Sequence, residues 1–425
     1  MNVNDLKQRI SIGDYDKAFT VLYGNPVAAR QRYLAACDEF ASLFGSDREV
    51  ALFSAPGRTE VGGNHTDHQL GRVLAGSVNL DVLAVVSVNS DSIVRIQSAG
   101  FDMDTVELSD LTPQENEKEH AASLIRGVCA RMKDLGYSVG GFDAYTTSNV
   151  LKGSGLSSSA AFEVLIGTIL SHLYNDGKVD AITIAKIAQY AENVFFGKPC
   201  GLMDQMACSV GGFTAIDFAD REDPVVEKVD FDLSKSGYCL CIVNTGGNHA
   251  DLTCEYAAVP AEMKNIAQHF HQDVLRRVSV PEFYSNISEL REQYGDRAVL
   301  RAIHFFDENE RASLEKDALK SGDLSRFLEL VKESGRSSFM KLQNVYSSLN
   351  VAEQGLSLAL ALTEHLLGQK GAWRVHGGGF GGTIQAFVPM EMLEEYRTQM
   401  ESVFGAGTCY VLNIRPVGGV CLEKL

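Results

Sequence analysis

No stretch of this 425-residue chain approaches the roughly 18 consecutive apolar residues that a bilayer-spanning helix needs. Met1 to Tyr23 alternates charged and apolar residues and lacks the order of a secretory signal, positive, then apolar, then small, so the expected compartment is the cytoplasm. Paired cysteines are missing as well. The nine present are Cys37, Cys129, Cys200, Cys208, Cys239, Cys241, Cys254, Cys409 and Cys421; their count is odd and none sits in CxxC spacing. That excludes a zinc ribbon and a disulfide framework and leaves reduced thiols, mostly core filler. Positive charge is scarce: 38 Lys and Arg face 55 Asp and Glu, for a formal charge of −17. Such a balance argues against nucleic acid or an anionic membrane as partner. Any phosphate site must then be local, built from backbone amides, a metal and a few side chains. There is no internal repeat, no low-complexity tract and no GxxxxGK[ST], which excludes an ordinary P-loop.

What is present is a 45% apolar content over a length sufficient for two or three domains of roughly 150 residues each. Residues 1–45 read as helices, with Leu22, Ala28, Tyr33, Leu34 and Phe40 as packing faces, an appendage before the main fold. Strand-like runs follow at Val50 to Ser54, Val82 to Val88, Ile93 to Gln97 and Phe142 to Thr147. A helix begins after Gly155, with Phe162, Leu165, Ile166, Ile169, Leu170 and Leu173 at helical spacing, and another covers Ile182 to Phe195. Around Gly211 to Pro224 the chain turns loop-like, and Tyr238 to Val243 reads as a fresh buried strand. Charged amphipathic helices then dominate from Tyr256 to Gly368, and strands return at Thr383 to Val388 and Cys409 to Ile414. The expected division is an N-terminal appendage (1–45), an N-terminal domain (46–215) and a C-terminal domain (216–425).

Four stretches carry chemistry. Ala55 to His68 puts Arg58, His65 and the acidic Glu60 and Asp67 into a Gly-rich turn after a short strand, a poor recipe for a core and a good one for a polar site, or a solvated loop. Lys152-Gly153-Ser154-Gly155-Leu156-Ser157-Ser158-Ser159 runs straight into the helix after Gly155. Its free amides and the helix dipole suit phosphate, and its hydroxyls suit phosphate or Mg²⁺; an N-cap cluster on a buried helix is the plain alternative. Glu192 and Asp204 stand twelve residues apart around Gly197 to Gly201. They could supply a metal ligand and a general base, or be a surface glutamate and a helix cap. His376-Gly377-Gly378-Gly379-Phe380-Gly381-Gly382 has five glycines in six positions, more than a tight turn needs, and so implies positive φ or close approach of another segment.

In this order the four stretches resemble the signature of the GHMP small-molecule kinases, and specifically the galactokinase branch, over about residues 42 to 388. The resemblance implies an α+β, two-domain GHMP kinase architecture: an N-terminal domain like a ribosomal protein fold, a ferredoxin-like C-terminal domain, and the active site in the interdomain cleft. It implies ATP and Mg²⁺ as cofactors and a monosaccharide as substrate, phosphorylated on its anomeric hydroxyl. By resemblance, Asp204 is the base and Arg58 its partner in catalysis. Asn64, His65, Thr66, Asp67, Gly201 and Tyr256 line the sugar pocket. Gly153, Ser154, Gly155, Leu156, Ser157, Ser158 and Ser159 form the nucleotide loop, and Ser159 with Glu192 holds the metal. The expected partners are the sugar and ATP, with no nucleic acid and no membrane; the oligomeric state is open, and a monomer fits.

Three departures from the branch stand out. Galactokinases usually read Gly-Glu-His-Thr-Asp-Tyr where this chain has Gly63-Asn64-His65-Thr66-Asp67-His68. Leu151 stands where the phosphate loop usually starts with proline, and Val259-Pro260-Ala261 stands where arginines usually follow the tyrosine. The first change touches sugar choice, so galactose is the leading substrate, with galacturonate, arabinose or N-acetylgalactosamine as alternatives. A non-catalytic sugar sensor on the same scaffold is the reading from another class; the presence of Arg58, Ser157 to Ala161, Glu192 and Asp204 speaks against it.

Overall fold

The computed structural model describes residues 1–150, 155–246 and 252–425. Helices α1 (Val3–Ile12), α2 (Asp16–Tyr23) and α3 (Pro26–Phe44) come first. Asn2 and Asn25 cap α1 and α3 through side-chain oxygens that accept the Asp5 and Val27 N–H groups, both at 2.9 Å. These helices are more than an appendage. Leu6, Phe19, Tyr33 and Phe40 share one buried cluster with Leu52, Leu83 and Val85 of the main sheet, and Arg32 and the Tyr23 hydroxyl both reach the fully buried Asp81.

The main sheet begins with β1 (Ala51–Gly62), β2 (Arg72–Val88), β3 (Ile93–Ser98) and β4 (Met103–Glu107). After α4 (Ala121–Asp134) come β5 (Phe142–Ser148), α5 (Ser158–Tyr174), α6 (Ala181–Tyr190), α7 (Met203–Val210), β6 (Phe213–Asp217) and β7 (Val225–Val229). The second unit starts with β8 (Tyr238–Asn244) and passes through helices α8 (Thr253–His269), α9 (Val280–Ser285), α10 (Ile287–Tyr294), α11 (Asp296–Ser321), α12 (Leu324–Ser337) and α13 (Gly355–Leu367). It ends with β9 (Ala372–Val375), β10 (Thr383–Pro389), α14 (Leu393–Phe404), β11 (Cys409–Leu412) and β12 (Val420–Cys421). The second sheet runs β11-β8-β10-β9, all antiparallel. The first runs β12-β1-β2-β5-β3-β4, with β6 and β7 added on β2.

Two expectations need correction. A division between residues 215 and 216 cuts β6 in half; β6 pairs on one side with β2 and on the other with β7, and the chain's last strand, β12, returns to β1. The first sheet therefore owns residues from both ends of the sequence, which a linear reading of composition does not show. The Ala55 to His68 stretch is a turn only in its second part, around Asn64 to His68; Arg58 itself lies in a strand. Ala55 to Gly62 is the greater part of β1, paired with β2 and interrupted by register shifts between Pro56 and Arg58 and between Glu60 and Gly62. From Leu52 on, every residue of β1 is buried on both faces, so the period-two alternation that marks a half-exposed strand is missing. The bulges turn the local side chains off the regular pleat, a common device next to active sites.

Candidate active site

The first bulge of β1 directs Arg58, 8% exposed, toward the start of α7. Its Nε and Nη2 donate to the two carboxylate oxygens of Asp204 at 2.8 and 2.7 Å, and its Nη1 donates to the carbonyl of Gly155. Such a fork on a carboxylate fixes geometry as well as charge. The Ser157 hydroxyl donates to the same Asp204 carboxylate. Burial works to raise the Asp204 carboxyl, but Arg58 and then Ser157 outweigh it and hold it below the usual carboxylate range, so it is ionised at neutral pH. Neither Asp204 nor Ser157 acts as a plain helix cap. Asp204 lies in the first turn of α7 after Leu202, and Ser157, the N-cap of α5 at φ 55°, makes no side-chain cap bond and gives its hydroxyl to Asp204.

Beside this pair is a second carboxylate centre. After α6 the helix widens into a π-turn over Ala191–Phe196, which turns Glu192 inward until only 3% of it is exposed. Its Oε1 accepts from Ser159 Oγ and from Lys198 Nζ, both at 3.1 Å, and its Oε2 accepts from Gln205 Nε2 at 2.7 Å. The same Gln205 amide donates to Glu163 Oε2 at 3.1 Å. Glu163 is fully buried, and burial first, then the charge of Glu192, push its carboxyl well above the usual range, so it stays neutral. Among the described residues no cluster of three or more His, Cys, Asp or Glu can hold a metal unaided. A serine hydroxyl plus one carboxylate is instead the sparse hard-oxygen set that Mg²⁺ takes when phosphates complete its shell.

Ser158 and Ser159 also border a cavity of about 580 Å³ that Val150, Leu124, Phe162 and Phe101 line with apolar surface. The 17-residue α5 starts at that rim with its first amides unbonded to any earlier turn. An anion at the helix start with a planar group in the cavity fits both features. Leu156 is fully buried, and its carbonyl accepts the Arg58 N–H at 3.1 Å. Gly153 and Ser154 lie outside the described residues.

The residues expected around the sugar divide. Asp67 and Gly201 meet across the mouth of the Asp204 loop: a Cβ on Gly201 would come within 2.8 Å of Asp67 Oδ2. Tyr256 is half-buried, donates its hydroxyl to the Gly379 carbonyl at 2.6 Å and abuts the glycine run, where a Cβ on Gly378 would lie 2.8 Å from its ring. His65, at φ 56°, reaches the Gly378 carbonyl at 3.0 Å.

Asn64 and Thr66 do not line a pocket. Asn64 is fully buried, with its amide N–H groups on Glu60 Oε1 and the Gly377 carbonyl, both 2.8 Å, and its oxygen accepting from Asn344 at 2.9 Å and Ser338 at 3.3 Å. That exhausts the four hydrogen bonds an amide can make. Thr66 is likewise buried and gives its hydroxyl to the carbonyls of Gly63 and Arg72. Both residues shape the loop instead of reading a ligand.

Several residues that sequence reasoning missed hold this loop. Arg374, fully buried, donates to Glu60 at 2.7 Å and to the Val61 carbonyl at 2.6 Å. Glu308 accepts the Gly63 and Asn64 N–H groups, and Arg311 outweighs its burial to hold it down to about 2. His304 bridges the Asn64 carbonyl and Ser337 Oγ, both at 2.9 Å, and burial pushes it down to about 4. Their positions on α11 and β9 carry no motif, and only the three-dimensional contact reveals them. Lys198 and Gln205 stand in the Asp204 loop that the sequence singles out, but their bonds to Glu192, itself expected at the metal, are visible only in three dimensions.

Comparison with known proteins agrees with this fold. Residues 123–212 match the GHMP kinases N terminal domain, and residues 38–88 match the galactokinase galactose-binding signature. Among solved structures, Lactococcus lactis galactokinase complexed with galactose superposes with a TM-score of 0.75 at 25% identity, covering 90% of this chain and 98% of that one. Methanococcus jannaschii mevalonate kinase (TM-score 0.60, 13% identity, 86% and 98% covered) and Streptococcus pneumoniae phosphomevalonate kinase (0.58, 13%, 85% and 98%) share the fold. The α+β fold is that of the GHMP kinases, phosphotransferases with an alcohol group as acceptor. The chain carries the GHMP kinases N-terminal domain together with the galactokinase galactose-binding signature, and in this it is similar to the galactokinase branch.

Proposed function

We propose that this kinase transfers the γ-phosphoryl group of ATP to the anomeric hydroxyl of galactose or a close relative, yielding the sugar 1-phosphate and ADP. The observation that carries the reading is the Asp204 carboxylate, kept ionised by the two-pronged Arg58 contact, beside the start of α5 and close to Asp67 and Gly201. The sugar hydroxyl gives its proton to Asp204 while its oxygen bonds to the γ-phosphorus. The bond from that phosphorus to the β,γ-bridging oxygen breaks, and its electron pair leaves with ADP. Arg58 keeps the base charged and in place, and the α5 amides with Ser157 and Ser158 receive the phosphates. Ser159 and Glu192 fit Mg²⁺, which when bound offsets charge on the phosphate oxygens. The cavity bordered by Ser158, Phe162 and Phe101 suits the nucleoside.

The Lactococcus lactis galactokinase that this chain resembles is complexed with galactose, which supports the sugar class. Because Asn64 is committed to protein partners, the missing glutamate of the sugar signature is not replaced by a side chain facing the substrate. Discrimination is left to Asp67, His65 and Tyr256. A panel of galactose, galacturonate, arabinose, glucose and N-acetylgalactosamine with Mg·ATP, read by ADP release and by phosphorus NMR of the product, tests the reading. A 1-phosphate of one of these sugars is expected. Failure to phosphorylate any of them, with the sugars nonetheless bound, would favour the sensor reading.

A further inference from the structure

Lys198 has no part in the assignments above, yet it reaches the centre of the site. Its ammonium lies 3.1 Å from Glu192 Oε1, the oxygen that also accepts from Ser159, while Glu192 Oε2 is taken by Gln205. A cation coming to Glu192 and Ser159 must therefore meet the oxygen that Lys198 already holds, and two cations do not share one carboxylate oxygen without repulsion. The lysine can yield that place. Its side chain is 62% exposed, and it rises from the short loop between the π-turn and α7, directly after Gly197 at φ 87°.

There is also something for it to do on leaving. The two cations that act on Asp204 are Arg58 and Lys198. Arg58 is committed to the Asp204 carboxylate through two of its nitrogens and to the Gly155 carbonyl through the third, so its charge is matched within the protein. Lys198 holds the Glu192 oxygen that also accepts from Ser159 at the start of α5, where the transferring phosphoryl lies on the reading above, and its charge acts on Asp204.

We propose that Lys198 is a catalytic cation with two positions: it neutralises Glu192 in the ligand-free enzyme and, with Glu192 Oε1 engaged by the metal, turns its ammonium onto an oxygen of the transferring phosphoryl. A compact, flexible ammonium suits such a move better than a planar guanidinium locked in a fork. The two positions have opposite consequences for one substitution. Losing the ammonium removes a competitor for the metal and also removes charge stabilisation from the transition state.

This inference rests on Ser159 and Glu192 as the metal-holding pair, so the experiment reads the two separately. Mn²⁺ alone is titrated into nucleotide-free wild type, Lys198→Met and Glu192→Gln by electron paramagnetic resonance, and kcat and KM are measured with the sugar found in the panel. Lys198→Met should bind Mn²⁺ about threefold or more tightly and lose about 30-fold in kcat, with the sugar KM within twofold; Lys198→Arg should recover only part of the kcat. Unchanged Mn²⁺ affinity and kcat within twofold in Lys198→Met overturn the proposal. Unchanged Mn²⁺ affinity in Glu192→Gln overturns the metal assignment beneath it, while the kcat of Lys198→Met still decides whether the ammonium serves the phosphoryl group.

Discussion

Two polar regions of the candidate site differ in how their hydrogen bonds are spent. Around Asp204 the groups are charged and part-exposed, and they point at one another across a gap: the Asp204 side chain keeps 31% of its surface, and Lys198 and Ser159 meet over a single carboxylate oxygen. Around Asn64 nothing is spare. All four hydrogen bonds of its amide end on protein atoms, and His304, Glu308 and Arg374 close the shell around its loop. Chemistry needs groups that can change partners; a frame needs groups that cannot. Motif likeness treats both regions as binding residues, and the geometry separates them.

The comparison breaks most visibly if the Asp204 region tolerates change. Asp204→Asn keeps the shape but cannot take a proton, so turnover should fall about 10³-fold, while sugar binding measured by calorimetry stays within a few-fold. Near-normal turnover in the purified variant would remove Asp204 from its role. Asn64→Asp should do the reverse. It replaces two donors by acceptors beside Glu60 Oε1 and the Gly377 carbonyl, and an uncompensated buried charge there should lower stability by about 4 kcal/mol in urea unfolding. The order of sugar preference in whatever folds should not change. A stable Asn64→Asp protein with an altered sugar order would return Asn64 to the pocket.

The frame also has a pH limit. His304 is buried and pushed down to about 4, against an ordinary histidine near 6.5. Its stabilising contribution is therefore complete above pH ~6.5 and is lost as pH falls toward 4, because the unfolded chain takes up the proton first; the integrated loss is about 3 kcal/mol. In His304→Gln the acid-side slope between these values should flatten. Asp204 is also shifted down, below the usual carboxylate range, so it stays ionised on acidification through the range in which the stabilising contribution of neutral His304 is being lost. Sugar-loop stability should fail at a higher pH than the base does.

Much of this was legible before any coordinates. The Arg58, Ser157–Ser159, Glu192 and Asp204 stretches were singled out because charge and glycine cluster there against the habits of a core, and they converge. The glycine run was readable too: Gly377, Gly379 and Gly382 have φ of 67°, 81° and 86°, and a Cβ on Gly379 would lie 2.0 Å from the Asn344 carbonyl. Other features left no local signal. β1 is buried on both faces and so shows no alternation, β12 joins its sheet from more than 350 residues away in the sequence, and Arg374, Glu308 and His304 look in sequence like any charged residue on a strand or helix. The role of Asn64 was misjudged for a related reason: a side chain's type at a motif position says what it can bond, not whether the protein has already taken those bonds.

The smallest effect sharpens the comparison inside the reactive region itself, between the base and the carboxylate next to it. Glu192→Gln keeps the size of the side chain and an oxygen for Ser159, but it removes the charge opposite Lys198 and turns one acceptor into a donor facing Gln205. A neutral amide is a weak ligand for a hard divalent cation, so the Mg²⁺ concentration for half-maximal rate should rise about tenfold. Asp204 does not bond to Glu192 and keeps its Arg58 fork, so the rate at saturating Mg²⁺ should fall far less than in Asp204→Asn. Sugar preference should be untouched, because the side-chain bonds of Glu192 go to Ser159, Lys198 and Gln205 and not to the groups assigned to the sugar, Asp67, Gly201 and Tyr256. Titration of Mg²⁺ at fixed ATP, repeated for two sugars, checks all three statements. A variant with ordinary Mg²⁺ dependence and a changed sugar order would mean that the two carboxylates have been assigned the wrong way round.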